Sequence, residues 1–169
     1  MKTLMLLRHG KSDWASNCAD HDRFLAPRGE DAADRVGRFL TELEQVPERV
    51  VSSTATRARD TAERAALAGN WTPAVERQSS FYGTGPDEML EWIQRVEEPT
   101  GSLLLVGHQP TWSMLAEGLI GGGNIRFPTA ALARIDLHVA HWADAQYGCG
   151  ELVWFQLPRV LKGIGFPTD

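Results

Sequence analysis

The sequence predicts an α/β protein, a three-layer α/β/α sandwich around a mostly parallel sheet. Two observations carry this: short, nearly continuous apolar runs suited to strands buried on both faces, and longer segments of helical periodicity alternating with them. A third is that the apolar runs stop abruptly at arginine, serine or histidine, the strand ends where open α/β sheets collect ligands.

Taken in order, Thr3 to Leu7 is the first strand and runs out into LRHGKSDW at 7–14. Asn17 to Pro27 is a polar connector in which Asp20, His21 and Asp22 are expected to be solvated, with part of the pocket entrance as their alternative. Gly29 to Glu44 reads as an amphipathic helix with Ala32, Val36, Phe39, Leu40 and Leu43 on its buried side. Val50 and Val51 form a second strand ending in Ser52 and Ser53. The alanine-rich run at 54–68 is then a helix with Arg57 in its first turn. A helix begins near Asp87 and Glu88, with Met89, Ile93 and Val96 as its apolar positions. Ser102 to Val106 is a buried strand that ends at Gly107 and His108. Pro110 fits the opening of a helix carrying Trp112, Leu115, Ala116 and Leu119 on one side. The glycine run at 121–123 follows a helix instead of opening one, so no phosphate-cradling role is expected of it. Ala131 to Val139 and Glu151 to Leu157 read as a final, antiparallel strand pair.

With 169 residues, 43% hydrophobic and 23% charged, the chain is expected to form one domain over 1–169. A net charge of −5 argues against a nucleic-acid binder and sets its local arginines apart as one pocket for an anion. The apolar start is cut short by Arg8 and His9, so neither a secretory signal nor a membrane span is expected; the expected location is cytoplasmic. Cys18 and Cys149 lack metal or redox spacing and read as thiols, with a disulfide left open.

Three strand ends thus deliver Arg8 with His9, Arg57 one turn into a helix, and His108. Two guanidiniums are forks for phosphate oxygens, and a neutral imidazole nitrogen can attack phosphorus. Phosphoryl transfer is largely positioning and charge stabilisation, which two arginines and a histidine can supply with no metal and no cofactor. The flanking cations are expected to lower the pKa of His9 and keep it nucleophilic.

The chain resembles the histidine phosphatase superfamily, and within it the SixA-type phosphohistidine phosphatases. The likeness rests on LRHGKSDW, on DRFLAPRGEDAADRVGRFL at 22–40 and SSTATRARDTA at 52–62. It continues through LLLVGHQPTW at 103–112, FPTAALARIDL at 127–137 and LVWFQLPRVLKG at 152–163, in the family's order. The resemblance implies the phosphoglycerate mutase-like fold, His9 as nucleophile, and Arg8, Arg57 and His108 as holders of the phosphoryl group. It implies attack by His9 to give a phosphohistidine, then hydrolysis. Ser12 is open between a phosphate donor and a turn residue. The mutase and bisphosphatase relatives carry asparagine where this chain has Ala15, and glycine and asparagine where it has Gln109 and Pro110, which disfavours a mutase.

No glutamate matches the general acid of many relatives. Asp87 and Glu88 are expected to serve the helix start instead. A missing acid fits an imidazole leaving group, whose conjugate acid has a pKa of about 6.5 against about 15.7 for bulk water. The expected substrate is therefore phosphohistidine on a protein, such as a histidine-phosphotransfer domain. The rivals are a small phosphate monoester and, from another class, a non-catalytic binder of phosphorylated ligands acting in regulation. Trp92, Trp112 and Trp154 are expected in the core, and Trp14 is expected to pack, with a pocket wall as its alternative. Arg59 and Arg64 are expected to face solvent, and a metal site at His138 and His141 with Asp136 and Asp144 is not expected.

Overall fold

A computed structural model describes residues 1–15 and 17–165. Six strands form one sheet: β1 (Lys2–Arg8), β2 (Arg49–Ser53), β3 (Val75–Gln78), β4 (Ser102–Gly107), β5 (Leu132–Leu137) and β6 (Gly150–Gln156), in the order β3-β2-β4-β1-β5-β6. The β3-β2, β2-β4 and β4-β1 pairs are parallel; β5-β6 is antiparallel, as expected of the tail, and β1-β5 is antiparallel too. The helices are α1 (Pro27–Glu42), α2 (Thr56–Ala68), α3 (Pro86–Gln94), α4 (Thr111–Leu119) and α5 (Pro158–Lys162).

The apolar runs of β1 and β4 feed two cores by alternation. Leu4, Leu6, Leu103 and Leu105 pack on one face with Met89 and Ile93 of α3 and Trp112 and Leu115 of α4. Met5, Leu7, Leu104 and Val106 pack on the other with Val36 and Leu40 of α1, Ala58, Ala62 and Ala65 of α2, and Leu161 of α5. This is the expected sandwich. The small residues of α2 let α1 approach closely: a Cβ on Gly37 would lie 2.0 Å from the Ala65 carbonyl oxygen.

Several expectations are corrected. α1 starts at Pro27 and ends at Glu42, because proline fits a first helical turn; its buried face uses Ala33 in place of Ala32, and Leu43 is exposed past its end. Trp92 and Trp154 are half-buried, whereas Trp112 and Trp142 are fully buried. Arg59 and Arg64 do not simply face solvent: they are half-buried, in ion pairs with Asp60 and Asp34. β3, reading VERQ, carries no apolar run because it is the sheet edge, and sequence reasoning passed over it.

Candidate active site

Parallel pairing of β1 with β4 sets Arg8 opposite Gly107, so the two strands end together and place His9 beside His108 with ring centroids 5.1 Å apart. The His9 amide donates to the Gly107 carbonyl at 3.0 Å, which locks the two strand ends to one another. Beyond His9 the chain turns tightly against the start of α1. A Cβ on Gly10 would lie 2.7 Å from the Gly29 carbonyl oxygen, and one on Gly29 would lie 2.2 Å from that of Lys11. Arg57 enters from the first turn of α2, where Thr61 fixes the geometry: its hydroxyl donates to the Arg57 carbonyl and accepts from the Gly10 amide at 2.9 Å.

These side chains line a cavity of about 480 Å³ with Ser12, Trp14 and Tyr82. His9 Nδ1 lies 2.7 Å from the Gly10 carbonyl oxygen, and a carbonyl only accepts, so Nδ1 carries the hydrogen and Nε2 the lone pair. The Nε of Arg57 donates toward that Nε2 at 3.4 Å. His9 is pushed down to about 3, chiefly by burial and then by His108, Arg57 and Arg8, against a raising contribution from the Gly10 carbonyl. Burial outweighs the flanking cations that the sequence pointed to. His108 is pushed down to about 4, by burial and then by Arg57. Its Nε2 lies 2.9 Å from the Ser53 hydroxyl, the polar end of β2.

Five buried side-chain polar atoms lack a hydrogen-bond partner among the described residues, and three of them belong to side chains lining this cavity: Arg8 Nε, Arg23 Nε and His108 Nδ1. Buried polar atoms are nearly always paired, so three orphans around one cavity mark it as built for an oxygen-rich ligand. The other contacts of Arg8 point to the fold: its Nη1 donates to the Phe127 carbonyl at 2.8 Å.

Sequence reasoning missed Arg23 and Tyr82, and offered Asp20 only as the lesser alternative of a pocket-entrance residue. Asp20 is exposed, as expected of the connector, and its carboxylate also accepts from Arg57 Nη2 at 3.0 Å, from the Tyr82 hydroxyl at 2.8 Å and from Arg23 Nη2. One aspartate thus gathers three residues that line the cavity, and the bond from Tyr82, then the two arginines, hold its carboxyl below the usual carboxylate range. Arg23 is only three positions away, but Arg57 and Tyr82 sit 37 and 62 positions away in sequence, so only folding reveals them. Trp14, expected to pack, is 71% exposed and lines the cavity, with the Arg23 guanidinium stacked 3.6 Å from its ring centre. Ser12 is buried, lines the cavity and forms an isolated antiparallel bridge with Leu25.

Asp87 and Glu88 are engaged elsewhere. Asp87 accepts from the Tyr147 hydroxyl at 2.6 Å, and Glu88 caps its own helix by accepting from the Gly85 amide at 3.1 Å. His138 and His141 face Glu151 and Glu98 separately, and no group of three metal-ligating side chains occurs among the described residues. No helix among them is long and apolar enough to cross a membrane.

Because His9 and His108 titrate well below neutrality, kcat/KM corrected for substrate ionisation is expected to hold from pH 8 down to about pH 5 and to fall below about pH 4 as the imidazoles gain protons. Recovery of activity on return to pH 7 separates this from unfolding. An acid limb near the ordinary imidazole value of about 6.5 would show that burial does not set the titration.

A profile of the histidine phosphatase superfamily (branch 1) matches residues 4–79. An uncharacterized protein of Mycobacterium tuberculosis strain H37Rv is 40% identical over 164 residues, spanning 90% of this chain and 100% of that protein. A structure assigned as phosphohistidine phosphatase SixA of Nakamurella multipartitia superposes with a TM-score of 0.79 at 29% identity, over 93% of this chain and 96% of that one. A second so assigned, from Agrobacterium tumefaciens, gives 0.78 at 28% identity over 93% and 98%. With the sequence match and the shared fold, the chain belongs to the histidine phosphatase superfamily, in its SixA-type branch.

Proposed function

We propose that the chain is a phosphatase that works through a covalent phosphohistidine at His9 and takes phosphohistidine on a protein as its substrate. The observation that carries the reading is the set of unpaired polar atoms on Arg8, Arg23 and His108, which line the cavity with His9 and its lone-pair nitrogen. Membership of the SixA-type branch supports the substrate class.

The chemistry runs in two displacements. His9 Nε2 gives its electron pair to phosphorus while the bond from phosphorus to the leaving nitrogen breaks, and the departing imidazole takes a proton from water. The enzyme-bound phosphoimidazole keeps its Nδ1 hydrogen on the Gly10 carbonyl and so carries positive charge, which makes it a good leaving group. Water then attacks the same phosphorus, releasing inorganic phosphate and returning the lone pair to Nε2. Arg8 and Arg57 balance the charge on the phosphoryl oxygens throughout, with the neutral imidazole of His108 beside them as a hydrogen-bonding group, so the reading requires neither metal nor cofactor.

The engagement of Asp87 with Tyr147 and of Glu88 with Gly85 supports a site with no carboxylic acid for the leaving group. The rate is therefore expected to depend steeply on leaving-group basicity: phosphohistidine and aryl phosphates cleaved well, alkyl phosphates poorly, and the slope little changed in Asp87→Asn and Glu88→Gln. Turnover of a phosphohistidine protein beside a panel of monoesters tests this. Alkyl phosphates cleaved as fast as phosphohistidine, with that activity lost in Glu88→Gln or Asp87→Asn, would move the substrate to a small phosphate monoester.

A further inference from the structure

The catalytic cavity does not end at its own walls. Lys11 and Thr129 also line a second concavity of about 440 Å³ between α1 and α5, whose other charged residues are Arg28, Asp31, Arg35, Arg159 and Lys162. Pro158 and Arg159 pass it on to a third, of about 500 Å³, beside Arg126. The chain as a whole carries a net charge of −5, yet the second concavity sets five cations against one carboxylate. That carboxylate, Asp31, is committed to Arg35 at 3.0 Å. Among the described residues Lys11, Arg28, Arg159 and Lys162 take part in no ion pair.

Stability does not explain this arrangement. Arg28 stands in the first turn of α1, where a cation opposes the helix dipole, and clustered like charges repel. Size bears on the occupant. A small-molecule site occupies roughly 300–1,000 Å³, and the catalytic cavity alone meets that need. Two further cationic concavities joined to it in line make a trough suited to an extended anionic surface.

We infer that the trough from Lys11 through Arg28 and Arg159 to Arg126 is the docking surface for an acidic face of the phosphoprotein substrate, with carboxylates around its phosphohistidine seated against these cations. This rests on the phosphohistidine-protein reading above and adds how the protein is selected. Exposed charges of this kind speed encounter and set specificity, and their effect is screened by salt.

The test uses a histidine-phosphotransfer domain with carboxylates flanking its histidine, phosphorylated with phosphoramidate, beside free phosphohistidine as the small substrate. Arg28→Glu and Arg159→Glu, made singly and together in the full chain, are expected to lower kcat/KM on the domain at least about tenfold and to flatten its salt dependence, with free phosphohistidine changed less than about twofold. Converting the flanking carboxylates of the domain to amides should cost the wild-type enzyme as much and add little to the loss in the variants. Equal effects on both substrates, or none on the domain, would overturn the docking surface and leave the phosphohistidine reading standing. A selective loss on small bisphosphorylated compounds instead would overturn it in favour of a small polyanion. Wild-type enzyme that turns over neither the domain nor free phosphohistidine would overturn the phosphohistidine reading, and the docking surface with it.

Discussion

His9→Ala is expected to lose at least about four orders of magnitude in kcat, the scale on which hydrolases that work through a covalent intermediate fail when the nucleophile is removed. The side chain is held for attack from every direction. Its Nδ1 hydrogen is tied to the Gly10 carbonyl, its amide to Gly107, and its neighbourhood keeps it uncharged at neutral pH, pushed down to about 3. No other imidazole in the cavity can take over: His108 has Nε2 on Ser53, and its ring centre is 5.1 Å from that of His9. Brief mixing with labelled substrate and quenching in alkali should trap a phosphoenzyme in the wild type that decays in acid, as a phosphoramidate does and a phosphate ester does not. An adduct of the same stability in His9→Ala would place the nucleophile elsewhere. A clamp that survives the substitution should still bind inorganic phosphate, which separates loss of chemistry from loss of fold.

How legible this was from sequence follows from range. The strand ends that carry Arg8, His9 and His108 are marked by local contrast, apolar runs stopping at polar residues, and α2 announces itself by its alanine period. These signals need no tertiary information. Their convergence follows from parallel pairing, which sets Arg8 opposite Gly107. What escaped was whatever depends on a loop folding back. Asp20 sits in a polar connector whose composition suggests solvent, it is exposed as Asp22 is, and nothing local tells the two apart; the difference is that the connector brings Asp20 onto Arg57, Arg23 and Tyr82. Tyr82 was passed over for the same reason, as part of a short turn between β3 and α3. The rank of causes behind the low His9 value was likewise out of reach. Sequence shows which cations are near but not that the ring is buried among strand ends.

Arg57 carries the second large expectation. Its guanidinium makes three directed contacts, Nε toward His9 Nε2 at 3.4 Å, Nη1 to the Asp20 carbonyl and Nη2 to the Asp20 carboxylate at 3.0 Å, from a side chain that is itself buried. A fork so fixed is oriented before substrate arrives, and a donor of that kind is worth roughly 2.7–4 kcal/mol in the transition state. Arg57→Ala should therefore lose at least about a hundredfold in kcat with a smaller change in KM. Arg57→Lys should recover little of it, because an ammonium presents one point of charge and cannot bridge His9 and Asp20 together. Asp20→Asn should fall between the two, since it keeps an acceptor for Arg57 but removes the charge that gathers Arg57, Arg23 and Tyr82. A chelator should leave the wild-type rate unchanged, because the two arginines already stand where a cation would be needed. Near-wild-type activity in Arg57→Lys would reduce the role of Arg57 to bulk charge. Loss of wild-type activity on chelation, restored by zinc, would show that the charge is supplied by a metal after all.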